Sequence, residues 1–172
     1  GLLGYATRRA QELGVTALHV NIWQDNLVAK DVLSKFGFDC VRRFVELRLD
    51  MAKVSDSDMD RAVQGCRPLR RGEEDKLTRI QNRAFADGWG YNPNTLETIT
   101  YSLNLSNCSR DDVILAFDDD KLVGYCWTEI TDETAGESVG RRGRIFMIGS
   151  DPDYRGGGVG RKVLLAGLAH IK

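Results

Sequence analysis

The chain has 172 residues, of which 42% are hydrophobic and 28% charged, enough for one or two ordinary domains with a real core. Lys plus Arg is 24 and Asp plus Glu is 25, a net charge of −1, which excludes the strong basic footprint of a nucleic-acid binder. No apolar run comes near the ~18 residues of a membrane span, and the opening GLLGYATRRA lacks the charged-then-apolar layout of a signal peptide. Cys40, Cys66, Cys108 and Cys126 form no C-x-x-C pair, so neither a zinc site nor any other metal is expected. Isolated thiols of this kind fit a reducing cytoplasm, where they act as small core residues.

In chain order, Leu2–Gly14 reads as a helix ended by its glycine. Val15–Ile22 reads as a strand, with Leu18, Val20 and Ile22 on one face. Asp25–Phe36 carries Leu27, Val28, Val32, Leu33 and Phe36 at helical spacing and stops at Gly37. Phe44–Met51 alternates, with Val45, Leu47, Leu49 and Met51 facing in. Ala52–Gly65 is polar and acidic and reads as a linker. A second run then starts: CRPLR as a short edge strand, GEEDKLTRIQNRAF as a helix with acids in its first turn, and PNTLETITYSL as another helix. Three strands follow, DVILAFD, KLVGYCWTEIT and RGRIFMIGS, the first two joined by a turn at Asp118–Lys121. The stretch ETAGESVGRRG between the last two reads as a longer, mobile connection, and Gly157–Lys172 as the final helix. The order predicts a mixed α/β (α+β) fold built on hairpins rather than repeated βαβ winding.

Four of the five residues from Gly156 to Gly160 are glycine, and they open the last helix. Such a segment lets the backbone curl, lets a phosphate approach closely, and adds the partial positive charge of a helix start. Arg155, Arg161 and Lys162 add cations. A P-loop fails on spacing, because Arg161 follows Gly160 and Val163 follows Lys162. A dinucleotide fingerprint fails because Arg161 stands where its third glycine belongs. A tight strand-to-helix turn with no ligand is the plain alternative.

The spacing that fits is R-x-x-G-x-G, filled by Arg155, Gly158 and Gly160. With its surroundings, IGSDPDYRGGGVGRKVL, it resembles the acyl-CoA motif of the GNAT superfamily of N-acetyltransferases. The resemblance implies a GNAT-like, mostly antiparallel central sheet flanked by helices, with acetyl-CoA as cofactor. It implies that Ile148, Gly149 and Ser150 form the strand end that holds the pantetheine arm through backbone groups. It implies that Arg155, Gly156, Gly157, Gly158, Val159, Gly160 and Arg161 form the pyrophosphate loop. Ser150 departs from the aliphatic residue usual there, which a backbone contact tolerates.

The resemblance covers 67–172 as the N-terminal half of such a domain. Residues 1–51 resemble the C-terminal half of another copy, with Asn26, Ala29, Gly37 and Phe38 filling N-x-x-A…G-F, and 52–66 link the two. A weak internal match of LLGYATRRA to LLAGLAHIK at an offset of 162 residues agrees. The chain is therefore expected to be a piece of a tandem two-domain acetyltransferase, or a permuted single domain in which residues 1–50 complete 67–172, within a chain or between two chains of a swapped homodimer.

Acetyl transfer to an amine needs a base for the amine proton and an acid for the leaving thiolate. Glu129, on the strand before the cofactor strand, is the candidate base; a solvated strand-end acid is the alternative. The family's usual acid, a tyrosine, is replaced by Leu33 when counted from Asn26. Trp89 and Tyr91 lie in the loop that shapes the acceptor pocket in the family, or simply pack in the core. His19 and His170 read as bystanders, and Arg141–Arg144 as a solvated turn. The expected activity is acetyl transfer to the amine of a small-molecule acceptor; a non-catalytic CoA-binding or structural module is the rival.

Overall fold

The computed structural model describes residues 1–105, 108–135 and 138–172, and only the backbone of 133–135 and 138–140. Contacts divide the chain into two units, Gly1–Arg48 and Leu49–Lys172.

The first unit holds two helices, α1 (Leu2–Glu12) and α2 (Leu27–Lys35). Gly14, at φ 70°, ends the run after α1, and Val15 N–H returns to the Ala10 carbonyl at 2.9 Å. Asn26 caps α2, its Oδ1 accepting from Ala29 N–H at 3.0 Å. The expected strands 15–22 and 44–51 are absent; both segments are irregular, apart from Met51 at the start of a 3-10 turn. Alternation prepares a face, but a strand exists only where a neighbour completes its hydrogen bonds, and neither segment has one among the described residues. Val20, Val45 and Leu47 are accordingly exposed.

The second unit is a four-stranded antiparallel sheet in the order β1-β2-β3-β4, formed by Cys66–Pro68, Val113–Asp118, Lys121–Ala135 and Ser138–Ser150. Helices α4 (Glu74–Phe85) and α5 (Leu96–Leu103) lie with one face. There Leu77, Ile80, Ile99, Leu103, Val113, Leu115, Tyr125 and Trp127 form the larger core. The last helix, α6 (Val159–Ile171), packs on the sheet through Val163, beside Ala116, Val123 and Cys126. Each large side chain buried in this way stabilises the unit by roughly 1.5–3 kcal/mol.

Two expectations are corrected here. The segment read as a linker contains a helix, α3 (Asp56–Val63), which packs on α6 with Met59 and Ala62 buried. Of the stretch read as a mobile connection, 133–135 and 138–143 are strand: the backbone of Glu133 pairs with Gly140 and that of Thr134 with Val139, beyond the end of β2, as a two-stranded ribbon. Polar residues suit such a ribbon because it has no sheet neighbour to bury against. Glu133 keeps only its backbone description, and Glu137 lies outside the described residues.

Candidate cofactor site

The site is built where β4 ends against the start of β3. Gly124 pairs with Ser150, Tyr125 with Gly149 and Cys126 with Ile148, so the three expected strand-end residues are held side by side. Gly149 is glycine for a packing reason. A Cβ there would meet Ala84 Cβ at 2.8 Å and Tyr125 Cε1 at 2.9 Å, so α4 sits directly on the strand. β4 is an edge strand, and its outer side has no strand partner among the described residues. Phe146 opens a bulge in it opposite Trp127 and Thr128, its ring edge-on to Trp127 at 5.5 Å.

From Ser150 the chain enters a 3-10 turn, Pro152–Tyr154, capped by Asp151, whose Oδ1 accepts from Asp153 N–H at 3.0 Å. The glycines follow. Gly156 and Gly158 take φ of 82° and 83°, a left-handed backbone that side chains disfavour. Gly158 is the N-cap of α6, and no side chain caps that helix. The first N–H groups of a helix have no partner within it, so this loop presents donors and a positive dipole end together.

Gly160 is different. Its backbone is not left-handed, and a Cβ there would meet nothing within 4 Å. The same open space surrounds Gly156 and Gly158. Neither backbone geometry nor internal packing asks for glycine at 160, whereas close approach of a phosphate does. The residues present therefore fit a pyrophosphate.

The arginines sit otherwise than a simple phosphate cluster would have them. Arg155 turns back and donates to the Ala84 carbonyl at 2.8 Å, and Arg161 reaches Asp58 of α3 at 3.3 Å. Their side chains tie the loop to two helices. Lys121, at the start of β3, lies over the Tyr154 ring at 4.6 Å.

Glu129 is not in this cluster. It lies on β3 opposite Arg144, five residues beyond the partner of Ser150, about 17 Å along the strand at ~3.4 Å per residue. It is half-buried, on the side of the sheet where Cys108 lies, and its charge helps raise the Cys108 thiol, behind burial itself. Tyr91 donates to Asn82 Oδ1 at 2.7 Å and packs on Phe85, fastening the α4–α5 loop to α4, while Trp89 in that loop is exposed. His170 Nε2 lies 2.9 Å from Asp112 Oδ1, a tie from α6 to the turn before β2.

Sequence reasoning missed Asn82, Arg83 and Gln81. Gln81 is buried four residues after Leu77, on the face α4 turns to the sheet. A polar residue in a core register was the available signal.

An antiparallel sheet whose edge strand leads into an uncapped, glycine-rich helix start is the arrangement that the resemblance implied. Residues 75–172 match the family model of the acetyltransferase (GNAT) family, and the chain belongs to that family. It is 29% identical to a mycothiol acetyltransferase of Actinosynnema mirum, over 99% of this chain and 54% of that protein. It is 33% identical to one from Acidimicrobium ferrooxidans, over 82% of this chain and 45% of that protein. The chain thus spans about half the length of the curated relatives it matches. A crystal structure of the ribosomal-protein-S18-alanine N-acetyltransferase from Escherichia coli aligns with TM-score 0.42 at 20% identity, over 58% of this chain and 53% of that one. Among the described residues, no helix is long and apolar enough to cross a membrane.

Proposed function

We propose that this chain carries the acetyl-CoA site of an N-acetyltransferase that acetylates the amine of a small-molecule acceptor. The observation that carries the reading is Gly160, a glycine with open space around it in the first turn of an uncapped helix. Amides of Arg155–Arg161 hold the pyrophosphate, and backbone groups of Ile148, Gly149 and Ser150 on the outer edge of β4 hold the pantetheine arm. Bound acetyl-CoA supplies an acetyl thioester to the amine. Glu129 is the proposed base, taking the amine proton; its distance from the loop suits a cofactor whose pyrophosphate and thioester lie at opposite ends. The acceptor for which the relatives are named is the first to try.

Residues 1–51 are proposed as the C-terminal half of a first GNAT-like domain and 67–172 as the N-terminal half of the next, in a tandem protein. Completion by a second copy is the alternative; a dimer in sedimentation favours it, and a monomer excludes it. The wide spacing of the four cysteines along the sequence supports a reducing, cytoplasmic setting.

The test is a calorimetric titration with acetyl-CoA of the protein and of Gly160→Asp. A carboxylate in the first turn favours the helix, by about 0.3–1 kcal/mol, so the variant folds. It also places negative charge where the phosphates would lie. Binding by the parent and its loss in the variant supports the site. Equal binding by both, or none by either, rejects it.

A further inference from the structure

The C-terminal turn of α4 grips both ends of the turn that leads into the glycine loop. Arg83 forks onto Asp151, Nε to Oδ2 at 3.0 Å and Nη2 to Oδ1 at 2.8 Å, and Nη2 also reaches Asp153 Oδ2 at 3.0 Å. The next residue, Ala84, offers its carbonyl to Arg155 at 2.8 Å. That carbonyl belongs to the last turn of α4, where carbonyls lack helical partners and attract cations. The carboxylate of Asp151 is buried, although the Arg83 side chain is half exposed. Asp151 is fixed by its backbone as well, donating to the Val123 carbonyl at 2.8 Å. Both oxygens of Asp151 are engaged, Oδ1 also accepting the Asp153 amide that starts the 3-10 turn. Paired charges held by two parallel bonds fix direction as well as distance.

We infer that Arg83 is a positioning residue for the acyl-CoA site. With the Ala84 carbonyl it holds Asp151 and Arg155, the two ends of the turn, and so sets where the amides of Gly156–Gly160 point. Arg83 itself does not touch the cofactor. A loop rich in glycine has little stiffness of its own, so its aim must come from its anchors. The separation of Arg83 from Asp151 by 68 residues makes this a device of the fold rather than of the motif. The inference rests on the acetyl-CoA reading.

The experiment measures CoA affinity by calorimetry, with melting temperature alongside, for the parent, Arg83→Gln, Arg83→Lys and a control, Arg67→Gln. Arg67 makes a comparable fork onto Glu73, at 2.7 and 2.8 Å, beside β1 on the opposite edge of the sheet from β4. The expected result is a loss of about tenfold or more in CoA affinity for Arg83→Gln, about 1.4 kcal/mol. Arg83→Lys, which keeps the charge and loses the fork, falls between. Arg67→Gln lowers the melting temperature yet binds CoA within about twofold of the parent. Unchanged affinity in Arg83→Gln overturns the inference, as does an equal loss in Arg67→Gln, which would make both arginines merely structural. If Arg83→Gln fails to fold, Arg83→Lys decides on the same terms. No CoA binding by the parent would instead reject the acetyl-CoA reading, and the inference with it.

Discussion

Val159, the first residue of α6, seats against Gly124 so closely that a Cβ on Gly124 would lie 2.7 Å from its Cγ1. The same added carbon would stand 3.2 Å from the Gly149 carbonyl. Gly124 therefore sets the height of the helix start above the sheet. Gly124→Ala is expected to destabilise the second unit by about 1–3 kcal/mol, as overpacking does, and to weaken CoA binding by shifting the loop. Urea denaturation and calorimetry check the two effects.

Glycines within the loop separate by cause. Gly158→Ala forces a side chain into left-handed backbone and should cost roughly 1–2 kcal/mol. Gly160→Ala should cost nothing and can gain up to about 1 kcal/mol of helix propensity. Yet Gly160→Ala should weaken CoA binding, because its methyl enters the space assigned to phosphate. Paired melting and binding curves test this, and a melting loss for Gly160→Ala would show that the space is filled by protein.

Stability should fall on the acid side for a definite reason. The Arg67 fork holds the Glu73 carboxyl well below the usual carboxylate range, against burial, and Arg83 does the same for Asp151. Depressed carboxylates contribute stability that is fully present above their unfolded values, near pH 4, and is lost as pH falls through the folded ones. The urea midpoint should therefore drop below about pH 4, and Glu73→Gln should flatten that drop. An unchanged slope in the variant refutes the assignment.

The thiols supply an alkaline counterpart. Burial pushes Cys126 up to about 12, whereas Cys40 is exposed. A thiol raised in the folded state contributes stability below its unfolded value, near 8.5, and loses it as pH rises toward 12. At neutral pH an alkylating reagent should label Cys40 readily and Cys126 only on unfolding. Mass spectrometry of peptides from native and urea-treated protein reads the contrast.

How much of this was legible depended on range. Local chemistry was readable: Gly14 and Gly37 as helix stops, and the glycine loop before α6. What depended on partners was not. Val15–Ile22 alternates as a strand should, but no ladder forms along it. Glu133–Ala135 looks like a loop by composition, yet its backbone ladder to β4 makes it strand. Helix α3 hid because its buried contribution is little more than Met59 and Ala62 in an acidic run. The Arg83–Asp151 fork joins α4 to the approach of α6 across the sheet, and no local pattern announces it.

Trp127 is buried to 1% exposure beside Phe146, whereas Trp23 and Trp89 are 73% and 50% exposed. The molecule thus contains its own optical reporter. An aqueous quencher such as acrylamide should silence the two outer indoles first and leave a blue-shifted emission from Trp127. Because Trp127 pairs with Met147 on the edge strand, that residual signal watches the very backbone along which a thioester arm would lie.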